Sequence, residues 1–564
     1  MKRNVIYIGM LLMGTIAASG CSKVLDKRNL SAISDDLVWN DENYAAAFLN
    51  KLYLDNLPSW DINVSSHSDE ASPEAGNQAI LYGQLISTSI DEWHYAQIRS
   101  INLAIANLEK SSLPLETKNS FKAQAMVLRA WRYFEMVRLY GGVPLVLRPQ
   151  ELSEDLYLKR ASTSECISAI VADLDFAEAN LPWHWSGLDE GRFTKAVAQA
   201  LKGRVLLYFA SPQFNPNEDQ GRWAESYQAN KQAKEELAAE GYGLYESYAD
   251  LWFDEMNREV IFVKRFQEPS VVHSWDASTR PLSEAQNFSG ANHPTWDMVL
   301  AYPMATGVSI DDPNSGYDPI YYWKNRDPRF AATIAHNGAL WELSGKSGRK
   351  QWTYEGAEAN APTLSGFYCR KAVNESYEPF FTERSSTDWI ELRYAEVLLN
   401  FAESAAETGR LDEAYDVLKQ IRHRAGIAPG NGQAYGLKPG MSKAELIAAI
   451  MLERKLEFAF EGKRYWDLRR RKLFDQELNG KRRKGLLPKL KVSSAQFDQV
   501  KDQFDIDTQY HLYFEDEVIN VDRVFDINFR DNYYFYAIPN RHLESNSNLE
   551  QTIGWDGGTF DPLK

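Results

Sequence analysis

Across residues 41–242 apolar side chains recur every three to four positions, a period that predicts helices. The candidate stretches are 43–54, 90–109, 119–140, 162–179, 195–210 and 224–240. In the second of them Trp93, Ile98, Ile101, Leu103, Ile105 and Leu108 form the apolar face. The third runs into Gly141, Gly142 and Pro144, a strong stop signal. The texture changes at 243. Residues 260–263 (Val-Ile-Phe-Val) read as a strand, and Pro, Gly, Asn, Ser, Trp and Tyr then dominate to about Glu383. That is too long for one structureless loop in a compact domain. Residues 243–385 therefore predict an aromatic-rich subdomain of short elements and small sheets. Helical periodicity returns at 389–407, 411–425 and 442–471 within a C-terminal region, 386–564. Residues 485–564 read as loop-rich, with a strand-like run at 533–538.

Thr408-Gly409-Arg410 joins two of these helices, and Ala395, Ala402, Ala405, Ala406 and Ala414 permit close contact between them. A pair so joined resembles a tetratricopeptide hairpin, although the spacing of such pairs along the chain is irregular. The fold class that follows is mainly α: a tetratricopeptide-like scaffold of helical pairs carrying an aromatic-rich loop and small-sheet subdomain.

The N-terminus has another logic. Lys2 and Arg3 precede an uncharged apolar run from Val5 to Ala18, and small residues lead to Cys21. This is the build of a secretory signal peptide, 1–20. The run is short for a bilayer span of ~20 residues. A cysteine directly after Ser19-Gly20 fits a lipobox, with Cys21 acylated and residues 21–40 serving as a tether. The plainer alternative is an ordinary signal peptide followed by an incidental cysteine.

Charge and composition narrow the function. A net charge of −16 excludes the basic footprint expected of a nucleic-acid binder. Beyond Cys21 only Cys166 and Cys369 remain, too few for a disulfide framework or a cysteine metal cluster. Sixteen Trp, 29 Tyr and 26 Phe exceed what a helical core requires, so some rings are expected at the surface, where their faces suit sugar rings. No Gly-rich phosphate loop, zinc-protease helix motif or Gly-x-Ser-x-Gly elbow occurs. Asp311-Asp312-Pro313-Asn314 is only a faint calcium-loop pattern, with Pro313 at a ligand position, and reads as a turn. No cofactor or metal is expected. Two basic runs, 469–472 and 481–484, stand out in an acidic chain. A solvated helix face is the ordinary reading, and contact with an acidic partner or ligand the sharper one.

Several segments, taken in order, resemble the SusD/RagB family of outer-membrane nutrient-binding lipoproteins. They are 125–146 (AMVLRAWRYFEMVRLYGGVPLV), 200–208, Asp327-Pro328-Arg329-Phe330, 392–403, 421–426, 453–470 (ERKLEFAFEGKRYWDLRR), 536–539 and 546–551. The resemblance implies one compact SusD-like unit that catalyses no reaction. It would capture a glycan at the cell surface and deliver it to a SusC-like TonB-dependent transporter, held to the outer membrane by its lipid anchor. The recognisable residues themselves read as scaffold: Glu453, Glu457 and Glu461 are spaced four apart, with Arg454, Arg464 and Arg469 as potential partners.

Because the ligand loops of such proteins vary, candidate site residues come from chemistry alone. Aromatic platforms beside hydrogen-bonding groups suggest Trp275, Trp296, Tyr317 and Tyr82, with Asp69, Asn77 and Arg280 as polar contacts. Three other readings share these features. An exported glycoside hydrolase would add two carboxylates at working separation. A RagB-type uptake protein would bind peptide. A helical-repeat assembly protein would bind no small ligand.

Overall fold

The computed structural model describes residues 35–60, 64–73, 78–287, 291–360 and 362–564; Cys21 and Asn77 lie outside them. Six long helices build the first half: α1 (Glu42–Asn56), α2 (Tyr95–Lys110), α3 (Leu115–Tyr140), α4 (Thr163–Asn180), α5 (Lys195–Ala210) and α6 (Gln220–Ala239). The chain then pairs β1 (Val260–Lys264) with β2 (Trp389–Arg393) before helices resume as α7 (Tyr394–Glu407), α8 (Leu411–Arg424), α9 (Lys443–Glu457) and α10 (Arg464–Arg470).

Local chemistry sets the ends. Asp41 accepts from the Asn43 and Tyr44 N–H groups at the start of α1. Ser162 with Glu165, and Ser442 with Glu445, form reciprocal capping boxes that satisfy otherwise unpaired N–H groups of α4 and α9. The 26 residues of α3 stop at Gly141, whose φ of 73° suits glycine. At Gly142 a Cβ would stand 1.9 Å from the Ala161 carbonyl, so backbone passes backbone where no side chain fits.

Neighbouring helices pack in pairs, and α7 lies against α6, joining the two halves. One core runs through all the long helices. A second fills the loop-rich region, around Trp252, Trp275, Trp341, Phe367 and Trp389. There the elements are short, including helices Trp275–Thr279 and Trp296–Ala301 and two pairs of two-residue strands. Cys166 and Cys369 are buried free thiols.

Four expectations from the sequence are corrected. Residues 389–393 are not the first turn of a helix but a fully buried strand, antiparallel to β1. The expected 442–471 helix is broken between Glu457 and Arg464, where Phe460 (φ 60°) and Gly462 (φ 69°) turn the chain left-handed. The apolar run 533–538 forms no strand: the Tyr536 N–H donates to the Leu139 carbonyl and that of Ile538 to Gln551 Oε1, so helix end and side chain replace a sheet partner. Residues 485–564, expected to be loop-rich, contain a regular hairpin arm, β4 (Phe514–Asn520), paired over seven residues with β3 (Lys484–Leu490).

The acidic side chains of the 453–461 segment do lock elements together, though through partners distant in sequence. Glu457 is gripped by Arg329, Arg393 and Arg424, Glu453 by Arg329 and Arg422, and Glu461 by Arg393 and Lys371. The residues nearer in sequence turn elsewhere: Arg454 to Asp467, Arg464 to Asp69, and Arg469 to the Tyr533 and Tyr534 carbonyls.

Burial also sets the pH response. It holds the imidazoles of His94, His273, His293 and His336 down at about 4, against an ordinary 6.5. A base whose folded value is depressed contributes stability above its unfolded value and loses it as pH falls toward the folded one. Glu70, raised by burial to about 8, and Asp276 and Asp388, raised to about 6, act in the opposite sense over the same window and offset part of the loss. The four imidazoles, joined towards pH 4 by carboxylates that basic partners hold at about 2, such as Glu391 and Asp467, outweigh these three, and the melting temperature is expected to fall progressively from pH 6.5 to 4. Thermal melts across that range check it, and a flat profile would contradict it.

Candidate functional site

The hairpin β3–β4 stands between two of the expected aromatic residues that reach solvent, Tyr82 and Trp296. Its anchor is Arg483, whose guanidinium is buried just before β3. Nη1 donates to the carbonyls of Ser66 (2.5 Å), Ser68 (3.0 Å) and Ala71 (2.8 Å), and Nε and Nη2 grip Asp522. Arg483 thereby joins the N-terminal loop to the far end of the hairpin. Despite burial the Asp522 carboxyl stays below the usual range, because Arg483 and Tyr82 both donate to it.

Tyr82 is half-buried, and its hydroxyl donates to Asp522 Oδ1 at 2.6 Å. Burial and this bond to a carboxylate hold the phenol well above its ordinary range, so it stays protonated. Its ring meets that of Phe525 at 5.6 Å, and Phe525 is 47% exposed. On the other side of β3, the Lys484 N–H donates to Asp297 Oδ2 at 3.2 Å, and its ammonium donates to Asn520 Oδ1 at 2.5 Å. Asp297 belongs to the short helix Trp296–Ala301, which Thr295 caps and which packs on β3. Partly exposed Trp296 stands there edge-on to buried Tyr322 (5.0 Å) and parallel to Phe367 (6.0 Å). Tyr317 is also partly exposed, with the Arg326 guanidinium 5.5 Å from its ring. Tyr82 with Phe525 thus lies on one side of the Arg483–Lys484 backbone and Trp296 on the other, with Tyr317 near the Tyr322 ring that Trp296 meets; we take these rings together as a candidate shelf, with Lys484, Asn520 and Asp297 between its ends.

The other candidates sit elsewhere. Trp275 is 2% exposed: its ring stacks on Trp60 at 4.7 Å and its Nε1 donates to the Lys371 carbonyl. Arg280 is wholly buried, donating to the Asn374 and Tyr377 carbonyls beside Asp276. Asp69 is buried between Lys455 and Arg464, both 2.8 Å away, which hold its carboxyl far below the usual range against the effect of burial. All three are structural contacts in this conformation. Tyr82, Trp296 and Tyr317 keep ring surface in solvent. Phe525 and Asn520 were not singled out from the sequence, Lys484 was noted only as part of the basic run 481–484, and the pairing of β3 with β4 brings Lys484 and Asn520 together.

A cavity of about 650 Å³ opens elsewhere, along α9 and α10. Its described lining has no aromatic ring, and its cations are paired: Lys443 and Arg471 with Glu407, Lys455 and Arg464 with Asp69. Among the described residues no helix is long and apolar enough to cross a membrane, and no group of three or more His, Cys, Asp or Glu could hold a metal ion.

Comparison with known proteins places this architecture. The SusD family profile matches residues 258–555, more than half of the chain. The chain belongs to the SusD family. A second profile, described as starch-binding and associating with outer membrane, matches residues 33–207. The chain is 25% identical over 487 residues to SusD-like protein P38 of Formosa agariphila, an alignment covering 83% of this chain and 91% of the relative. SusD-like protein P2 of the same organism is 26% identical, over 67% of this chain and 70% of the relative. Among solved structures, a SusD-like protein from Bacteroides fragilis superposes with a TM-score of 0.75 at 24% identity, covering 94% of this chain and 100% of that one. A laminarin-binding SusD-like protein superposes at 0.62 and 20% identity, covering 92% and 100%. At these identities the structural likenesses establish the fold. The SusD family scaffold thus accounts for the helical pairs.

Proposed function

We propose that this protein captures glycan at the bacterial cell surface without chemical conversion. It then passes the glycan to a SusC-like TonB-dependent transporter while an acylated Cys21 holds it to the outer membrane. The observation that carries the reading is the shelf of Tyr82, Trp296, Tyr317 and Phe525, where rings expose faces beside hydrogen-bonding side chains. Sugar C–H faces stack on such rings while hydroxyls reach the polar edge. The starch-binding description of the N-terminal profile and the laminarin-binding relative support a glycan as the ligand. The tether to Cys21 and the transporter follow from the lipobox and from the family.

Native gel electrophoresis through a panel of embedded polysaccharides tests capture, with a reducing-sugar assay on the same mixtures. Retardation by at least one polysaccharide with no release of reducing ends is the expected result. Release of products would support a hydrolase, and a protein retarded by none of them would contradict capture.

A further inference from the structure

Resting on the capture reading, we propose that the Tyr82–Phe525 end of the shelf is built for a polyanionic glycan, one bearing uronate carboxylates or sulfate esters. The basic run 481–484 lies in a chain of net charge −16, and the structure divides its members by role. Arg483 is consumed by Asp522 and by three carbonyls. Lys481 donates to the Gln476 and Glu477 carbonyls, and Arg482 is paired with Asp526 at 2.5 Å. The Lys484 ammonium rests on a neutral amide, Asn520, while the Asp297 carboxylate accepts its backbone N–H and lies within electrostatic reach of its charge.

Two more cations stand on the segment that follows β4. Arg523 and Arg530 are exposed, and no carboxylate among the described residues pairs with either. Arg523 is two residues from Phe525, and its carbonyl accepts from Arg482 Nη1 at 3.4 Å, which fixes that backbone. Arg530 packs over the loop that carries Tyr82: at Gly83 (φ 67°) an added Cβ would stand 2.9 Å from Arg530 Nε. Arg523 and Arg530 therefore keep cations without a carboxylate partner on the segment that carries Phe525 and over the loop that carries Tyr82. Two independent features, stackable rings and unpaired cations, meet on one edge of the shelf.

The chemistry favours acidic sugars over neutral ones. A guanidinium presents a planar fork that matches carboxylate and sulfate oxygens. A neutral glucan gains only the stacking, whereas an acidic glycan adds charge-assisted hydrogen bonds along its repeat. These contacts lie at the surface, so dissolved salt weakens them.

Calorimetric titration of the full-length protein tests this, with polygalacturonate, a sulfated galactan and laminarin as probes, each in low and in high salt. At least one acidic polysaccharide is expected to bind more tightly than laminarin. High salt and the double variant Arg523→Gln/Arg530→Gln are each expected to weaken that binding by ~tenfold, the scale of one charged hydrogen bond. Both arginines are exposed, and an unchanged melting temperature confirms that the variant folds. Two results would overturn acidic selectivity while leaving capture intact: laminarin binding as tightly as the acidic probes, or acidic binding that the double variant leaves unchanged. No binding to any of these polysaccharides, with sedimentation on phosphatidylglycerol vesicles lost in the double variant, would assign the cations to a lipid surface and overturn the proposal.

Discussion

Replacing Arg393 with Ala is expected to cost the fold about 3–5 kcal/mol, the scale on which breaking a buried ion pair leaves a charge uncompensated. The guanidinium lies at the end of β2 with 1% of its side chain exposed. Nη1 reaches Glu259 and Glu457 at 2.6 Å each, Nη2 reaches Glu461 and the Glu457 carbonyl at 2.8 Å, and Nε reaches Glu461 at 2.9 Å. The surrounding network balances: Arg329, Lys371, Arg393, Arg422 and Arg424 face Asp327, Glu259, Glu453, Glu457 and Glu461. Removing Arg393 leaves that buried set one negative charge in excess. Its three acidic partners come from the start of β1, the end of α9 and the turn beyond it, so the loss loosens the join between the helical scaffold and the loop-rich region. Chemical denaturation measures the cost. Neutralising Glu461 in the same chain (Arg393→Ala/Glu461→Gln) is expected to recover part of it, because the charge balance returns. A single variant as stable as wild type would refute this account of the network.

The sequence shows the helices well and the join poorly, for identifiable reasons. Alanine-rich periodicity in α3, α5 and α7 comes from faces buried against neighbouring helices, and a local pattern reports it directly. Trp389–Arg393 is buried on both sides, so it carries no alternation to separate it from the helix it precedes. The break at Phe460 and Gly462 sits inside apolar helix-like spacing, and nothing local requires a left-handed turn at a phenylalanine. The hairpin escaped notice because its strands pair across an intervening segment of small helices.

The candidate site divides in the same way. Trp275, Arg280 and Asp69 have the chemistry of ligand contacts, but their surroundings are set by partners far along the chain: Trp60 and Lys371, Asn374 and Tyr377, Lys455 and Arg464. Residue type suggests what a side chain can do, and long-range packing decides whether a ligand can reach it. Tyr82 and Trp296 kept both properties. The basic run 481–484 reads from the sequence as one feature and from the structure as four: Arg483 is a buried rivet, Arg482 a surface ion pair, Lys481 bonds backbone carbonyls and Lys484 a neutral amide.

The largest expected functional effect falls on the shelf itself. Trp296→Ala combined with Phe525→Ala removes one ring from each end while leaving Arg483 and its carbonyl partners in place. Truncating aromatic anchors of a binding surface typically costs ~2 kcal/mol or more, so about a 30-fold or greater loss of affinity is expected when two are removed together. Calorimetric titration of wild type and this double variant with the best polysaccharide from the panel, beside thermal melts of both, is therefore the most direct measurement. The account predicts that binding is lost or falls at least about 30-fold while the variant still melts cooperatively as a folded protein. Undiminished affinity in that folded variant would contradict it and place glycan capture elsewhere on the molecule.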